Sequence, residues 1–267
     1  TTSSMIRNLN GLLRTQSLGK VIHYQDEMDS TNTTLLELGE KGASEGTVVI
    51  ADRQTGGRGR LDRKWISPAG TNLYISILFR PEIAAFDSPL LTLIASLALN
   101  RVIEKSGAAE TKITWPNDIQ ISGKKVAGVL TEMRSKREMV DFIVVGIGVN
   151  INMTRDEINE KMGKVAYIAT SIKEHIGKDI NRSKFAADLL LELETWYKVF
   201  SNRGKATVLT EWTKFVDEHL AGMNQKWVNS AKDGENVDEA IKKNFKSLLP
   251  TPMEIDLYLK SFFARNV

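Results

Sequence analysis

The stretch "KITWPNDIQISGKKVAGVLTEM" (residues 112–133) decides between two kinds of α/β chain. Its apolar residues fall into two runs broken at Ser122-Gly123, which predicts two strands joined by a turn. Strands joined that tightly run antiparallel, because a parallel pair needs a long crossover. A strictly parallel, doubly wound sheet is therefore disfavoured. Outward from the hairpin, strands and helices alternate irregularly. "GKVIHYQDEMDSTN" (19–32) reads as a strand ending in a turn, and Ser30 or Thr31 can cap a helix through Leu35, Leu36 and Leu38 that stops near Gly42. "GTVVIAD" (46–52) and "DFIVVGIGVNIN" (141–152) are apolar enough for buried strands. "TNLYISILF" (71–79) alternates with Leu73, Ile75, Ile77 and Phe79 on one face, the period of a half-buried strand. Helical spacing runs over 89–106, with Gly107 as a stop, and over 183–200 through Phe185, Leu189, Leu193, Trp196 and Phe200. The expected class is α+β: a mixed, largely antiparallel β-sheet flanked by helices.

Composition narrows the chemistry. The chain has 267 residues, 42% hydrophobic and 26% charged, which suits a globular protein of one large domain, or of a large one plus a small one. Net charge is only +3, too weak for a dedicated nucleic-acid binder. With no cysteine, disulfides, thiolate metal sites and a cysteine nucleophile are excluded. The three histidines, His23, His175 and His219, are too far apart in sequence for a ligand-like spacing, so no protein-bound metal is expected. No apolar run reads as a membrane span and no secretory signal opens the chain, so a cytoplasmic location is expected.

Five polar stretches sit at the ends of these elements. "TGGRGRLDRKW" (55–65) packs three glycines and four basic side chains into one loop. It can be a solvated surface loop, a nucleic-acid contact or a phosphate cradle, in which glycines admit backbone amides and Arg58 and Arg60 offer forked donors. It is neither a Walker A loop nor a Rossmann fingerprint. The others are "DSTN" (29–32), "WPND" (115–118), "GKKVAG" (123–128) and "GIGVN" (146–150). Each alone has a plain account: a helix cap, a turn, solvated hairpin charges, and a bulge or close backbone approach. Those accounts do not explain the ordered set.

That set, "STN", "QTGGRGRLDRKW", "TNLYIS", "WPNDI", "GKKVAGVL", "GIGVNIN" and "ATSI", resembles the catalytic domain of biotin protein ligases over residues 20–215. The resemblance implies a sheet related to that of class II aminoacyl-tRNA synthetases. It also implies a C–N bond-forming ligase: biotin and ATP give biotinyl-5′-AMP and pyrophosphate, then a lysine of a biotin carboxyl carrier domain takes the biotin and AMP leaves. By resemblance, Ser30, Thr31 and Asn32 line the biotin site. Gln54 and the backbone from Gly57 through Arg58 and Gly59 to Arg60 cover biotin and the adenylate phosphate, and Arg58 and Arg60 hold the reactive anhydride and limit its escape. Lys125 reaches the α-phosphate and Gly128 leaves room for the biotin chain. Asn117 and Asp118 lie beside the phosphates, with Asp118 orienting or deprotonating the acceptor lysine. Trp65 packs over the nucleotide and Asn150 reads its adenine or ribose. Mg²⁺ enters with ATP, held by the phosphates rather than by a carboxylate cage. The glycine-rich loop is expected to order on its ligand.

The sequence departs from the family pattern in three places. Thr114 stands where a lysine usually precedes Trp-Pro-Asn-Asp, leaving Lys112 as the substitute cation. Residues 1–19 are read as an extension too short for a winged helix, so no DNA partner is expected. Residues 219–267 form a C-terminal module after the catalytic domain (20–218), but read as a helix over 237–249 and a strand over 253–263 rather than as the family's small barrel. Family members are monomers or homodimers, and the sequence leaves both open. The rival readings are a lipoate–protein ligase or octanoyltransferase, and a non-catalytic sensor of biotin or biotinyl-AMP.

Overall fold

The structure, a computed structural model, describes residues 4–60, 63–114, 117–212 and 214–216. The helix and strand expected at 237–249 and 253–263 lie outside those residues. Seven strands form one sheet in the order β1-β2-β3-β7-β6-β5-β4. They are β1 (Ile22–Met28), β2 (Val48–Gln54), β3 (Leu73–Phe79), β4 (Thr111–Thr114), β5 (Asp118–Ile121), β6 (Lys124–Lys136) and β7 (Met139–Val149). β1 and β2 pair in parallel and the other neighbours are antiparallel, the mixed sheet expected.

The decisive hairpin is β5–β6. Ser122 and Gly123 both take positive φ, 47° and 78°, as a tight two-residue turn between twisted strands requires. The sequence stretch holds a third strand, β4, which pairs with β5 from Thr111↔Ile121 to Thr114↔Asp118. Four residues carry too little periodicity to separate that strand from the turn after it.

Helices α1 (Ser4–Leu12), α3 (Pro89–Lys105) and α6 (Arg182–Arg203) cover one sheet face, with α6 packed on both others. The main core lies there, joining Leu9, Leu93, Ile94 and Leu97 to Leu73, Ile75, Ile77, Phe79, Ile143 and Val145. α3 with the turn before it is long and apolar enough to cross a membrane, but 83% of that apolar window is buried, as in a core helix. α1 was not legible in the sequence; Met5, Ile6 and Leu9 carry it into the core. Behind α1, the Glu194 carboxylate of α6 accepts the backbone N–H groups of Gln16, Ser17 and Leu18 and the Ser17 hydroxyl. The N-terminal segment is thereby tied to the domain.

The opposite face is only half covered. α2 (Thr31–Glu40), capped by Ser30, lays Leu35 and Leu36 on Val49, Leu78, Phe142 and Val144. β3, expected to be half buried, is buried along its whole length. It is third of seven strands, and this second layer reaches its Leu78 side as well. Beyond α2 the face is cleared of side chains. Strand alternation places Phe142, Val144, Gly146 and Gly148 on one side of β7, so the bulky half packs on α2 and the glycine half is open. A Cβ at Gly146 would collide with Asn32 Oδ1, and one at Gly148 would sit 2.5 Å from Trp65 Nε1. The "GIGVN" stretch is thus a place of close approach rather than a bulge.

Two predictions follow from this packing. Gly146→Ala drives a methyl into the buried Asn32 amide and is expected to cost about 1–3 kcal/mol, read as a lowered denaturant midpoint; an unchanged midpoint would refute the tight fit. For Glu194, burial raises the carboxyl's pKa, but the backbone N–H groups and the Ser17 hydroxyl outweigh it, and the value falls from 4.5 to about 2. A depressed carboxylate stabilises the fold fully above its unfolded pKa and progressively less as pH falls to its folded one. Glu194→Gln is therefore expected to lose roughly 1–3 kcal/mol at neutral pH. The gap to wild type should close between pH 4.5 and 2; a gap constant with pH would contradict the assignment.

Candidate active site

The cleared face is the floor of a cavity of about 650 Å³. Its inner end is built where α2 begins. Thr31 N–H donates 2.9 Å to Gln54 Oε1, and Gln54 Nε2 donates 3.0 Å to Ser67 Oγ. Ser76 of β3 lies within hydrogen-bond distance of Thr31 Oγ1 and Asn32 Oδ1, at 2.8 and 2.6 Å. Asn32 Nδ2 donates to the Leu130 carbonyl and to Glu132 Oε2. Thr31, Asn32, Gln54 and Ser76 thus find partners for their buried polar groups, as a low-dielectric site demands.

The basic loop is a flap over this floor. It closes on itself through bridges Gln54↔Ser67 and Arg58↔Lys64 and through Trp65 N–H to the Gly57 carbonyl at 2.8 Å. Its two arginines point to different ends. Arg58 Nη2 reaches Glu132 at 2.9 Å and Thr33 Oγ1 at 3.2 Å, whereas Arg60 Nη1 reaches Asn117 Oδ1 at 3.2 Å. Trp65 lies against Gly128 and Gly148, its indole N–H buried without a partner. Lys125 Nζ stands 5.2 Å from that ring's centroid and 2.7 Å from Asp118 Oδ2. Asn117 is locked by its amide to the Val129 carbonyl at 2.7 Å, and Asn150 by its amide to the Thr170 carbonyl at 3.0 Å.

The wall beyond Lys125 follows α4 (Arg155–Met162), as a 3-10 segment over Gly163–Ile168. Arg155 fastens it by donating to the carbonyls of Ala166 and Ala169 while paired with Glu174 of α5 (Ile172–Ile176) at 2.6 Å. Thr170 N–H then bonds the Lys125 carbonyl at 2.9 Å, setting this wall beside the cation.

Ser30, Thr31, Asn32, Gln54, Arg58, Gly59, Arg60, Trp65, Asn117, Asp118, Lys125, Gly128 and Asn150 all line the cavity. Of the residues singled out in the sequence, Gly57 is not among its lining; it lies within the flap, its carbonyl accepting from Trp65 N–H. Nor is Lys112, which stands exposed on the edge strand β4. Arg63, Lys64, Lys164, Val165 and Ile168 also line the cavity and were missed. The first two stood within the quoted loop; the others lie in a 3-10 segment with no periodic signal. Among the described lining residues six are cationic and Asp118 alone is acidic, so the mouth suits a polyanion.

Comparison with known proteins agrees with this geometry. The family model "Biotin/lipoate A/B protein ligase family" matches residues 24–150. The bifunctional ligase/repressor BirA of Bacillus subtilis is 36% identical over 204 residues, 76% of this chain and 62% of that protein. This chain thus spans less than two thirds of that relative. The biotin–[acetyl-CoA-carboxylase] ligase of Paracoccus denitrificans is 32% identical over 69% of this chain and 76% of its own length. Among solved structures, a biotin protein ligase from Aquifex aeolicus in complex with biotin and ATP is similar with a TM-score of 0.62 and 31% identity, covering 74% of this chain and 78% of that one. With the motif order, the sheet and the cavity in agreement, this chain belongs to the biotin/lipoate A/B protein ligase family.

Proposed function

We propose that the chain joins biotin to ATP as biotinyl-5′-AMP and transfers the biotin to a carrier-domain lysine. The observation that carries this reading is the polarity gradient of one cavity. It runs from the hydrogen-bonded inner end at Thr31 and Gln54, over the floor at Gly128 and Gly148, to the cationic mouth. A ligand with a polar head, an apolar body and a carboxylate meeting a polyphosphate suits that order.

Biotin's carboxylate oxygen attacks the α-phosphorus of ATP, the bond to the β-phosphate oxygen breaks, and pyrophosphate leaves with the electron pair. The enzyme need only align the two substrates and neutralise charge. Arg60, held by Asn117, and Lys125 are placed for this. Lys125 is paired with Asp118, and both side chains are about a third exposed, at 32% and 30%. Such a pair is worth about 1 kcal/mol or less, so charge-assisted bonds to phosphate outcompete it. A Lys125 drawn onto phosphate leaves the Asp118 carboxylate free. In the second half-reaction that carboxylate accepts a proton as the carrier amine attacks the mixed anhydride and AMP departs. Trp65 offers its face to the nucleotide, and Lys64 and Lys164 supply the cations that Thr114 and the distant Lys112 do not. Mg²⁺ enters as the companion of ATP; Asp118 is the sole acid among the described lining residues, so the phosphates are its principal ligands.

The test is biotin incorporation into an isolated carrier domain with ATP, set beside lipoate in place of biotin. Labelling of the carrier lysine with biotin alone supports the reading; transfer of lipoate alone overturns it. Lys125→Ala is expected to lower turnover by on the order of 100-fold or more, and near-normal turnover would remove its role. Arg60→Gly is expected to release the adenylate, seen as labelling of bystander lysines. Retained carrier selectivity would show that Arg60 does not hold the anhydride.

A further inference from the structure

Glu132 is a carboxylate in an otherwise apolar strand, "VAGVLTEM" (126–133), and it is 3% exposed. It does not line the cavity, and the chemistry above does not use it. A carboxylate removed from water is unfavourable unless charge and hydrogen bonds replace the solvent. Here both replacements come from ligand-binding segments. Asn32, at the start of α2, donates to Oε2 at 2.8 Å, and Arg58 of the flap donates to the same oxygen at 2.9 Å. Arg58 also bonds Thr33 Oγ1 at 3.2 Å, so α2, the flap and β6 meet at one point.

The site is lopsided as a result. Glu132 is four residues along β6 from Gly128, on the same face, which is about 13 Å of strand. Gly128 is paired with Asp118, the partner of Lys125. Arg60 reaches Asn117 at the phosphate end, whereas Arg58 reaches Glu132, away from it. Arg58 by residue type suits a phosphate, but its Nη2 is committed to Glu132 and Thr33.

We propose that Glu132 is a positioning residue that holds the flap, through Arg58, and the start of α2, through Asn32, in the arrangement that receives biotin. Arg58 then serves as the flap's anchor and Arg60 as its phosphate cation. The proposal rests on the function given above for the cavity and adds the device that sets its inner end.

The test compares wild type, Glu132→Gln, Arg58→Met and the double variant in biotin-dependent ATP–pyrophosphate exchange. Tryptic cleavage at Arg60, Arg63 and Lys64 of the same four proteins, without ligand, is followed in parallel. An anchor predicts a biotin KM raised about tenfold or more with kcat within about threefold. It also predicts flap cleavage faster by about fivefold or more. The double variant should be no worse than the worse single one, because both remove one interaction. If Arg58→Met instead lowers kcat with biotin KM and cleavage unmoved, Arg58 acts on the phosphates and the proposal is overturned. Should Glu132→Gln fail to fold, Arg58→Met carries the test alone, its side chain being 36% exposed. A wild type without biotin-dependent exchange overturns the function proposed for the cavity, and the cleavage rates still decide the anchor.

Discussion

Strand alternation on β7 is the constraint on which the site depends. Positions two apart share a face, so the series Phe142, Val144, Gly146, Gly148 runs along one side of a central strand. The first two seat α2; the last two admit Asn32 and Trp65 where a side chain would otherwise stand. The other side of the same strand carries Ile143, Val145, Ile147 and Val149 into the main core. One strand thus stabilises the domain with one face and vacates space with the other. A rigid sheet, anchored on α3 and α6, is what allows a cavity of that size to persist beside a packed core.

Clearing a sheet face exposes polar backbone and side chains to a water-poor interior, and the structure meets that cost with a closed network. Ser76, Thr31, Asn32, Gln54 and Glu132 satisfy one another or the backbone, so the inner end is stiff before any ligand enters. The outer end is built differently. Lys125 and Asp118 hold each other in partial solvent, and Arg60 donates to Asn117 at 3.2 Å. Weak, exposed pairings are easily exchanged for phosphate oxygens, whereas the buried ones are not. The fixed inner end and the exchangeable outer end follow from burial alone.

Much of this was legible in the sequence. The Ser122-Gly123 turn, the Ser30 cap, the α3 and α6 stripes and the glycine-rich basic loop are local signals, and local physics placed them. The sequence also marked thirteen residues that line the cavity, because motif order preserves which loops converge. What it hid depends on partners distant along the chain. β3 reads as half buried because its own alternation does not reveal that α2 covers its Leu78 side. Glu132 is one acid in an apolar run until Arg58, 74 residues away, is brought to it. The opposite headings of Arg58 and Arg60 need the flap's bridges to be known. The 3-10 wall at Lys164–Ile168 has no period to detect, and Arg155 fixes it from another helix.

The most direct measurement is trapping of the intermediate without any acceptor. Protein is mixed with α-labelled ATP and biotin, passed through a desalting column, and the retained nucleotide is identified. About one equivalent of biotinyl-AMP per chain is expected, because a closed flap favours the anhydride over its escape. Retention of unreacted ATP, or an adenylate formed with lipoate and not with biotin, would contradict it.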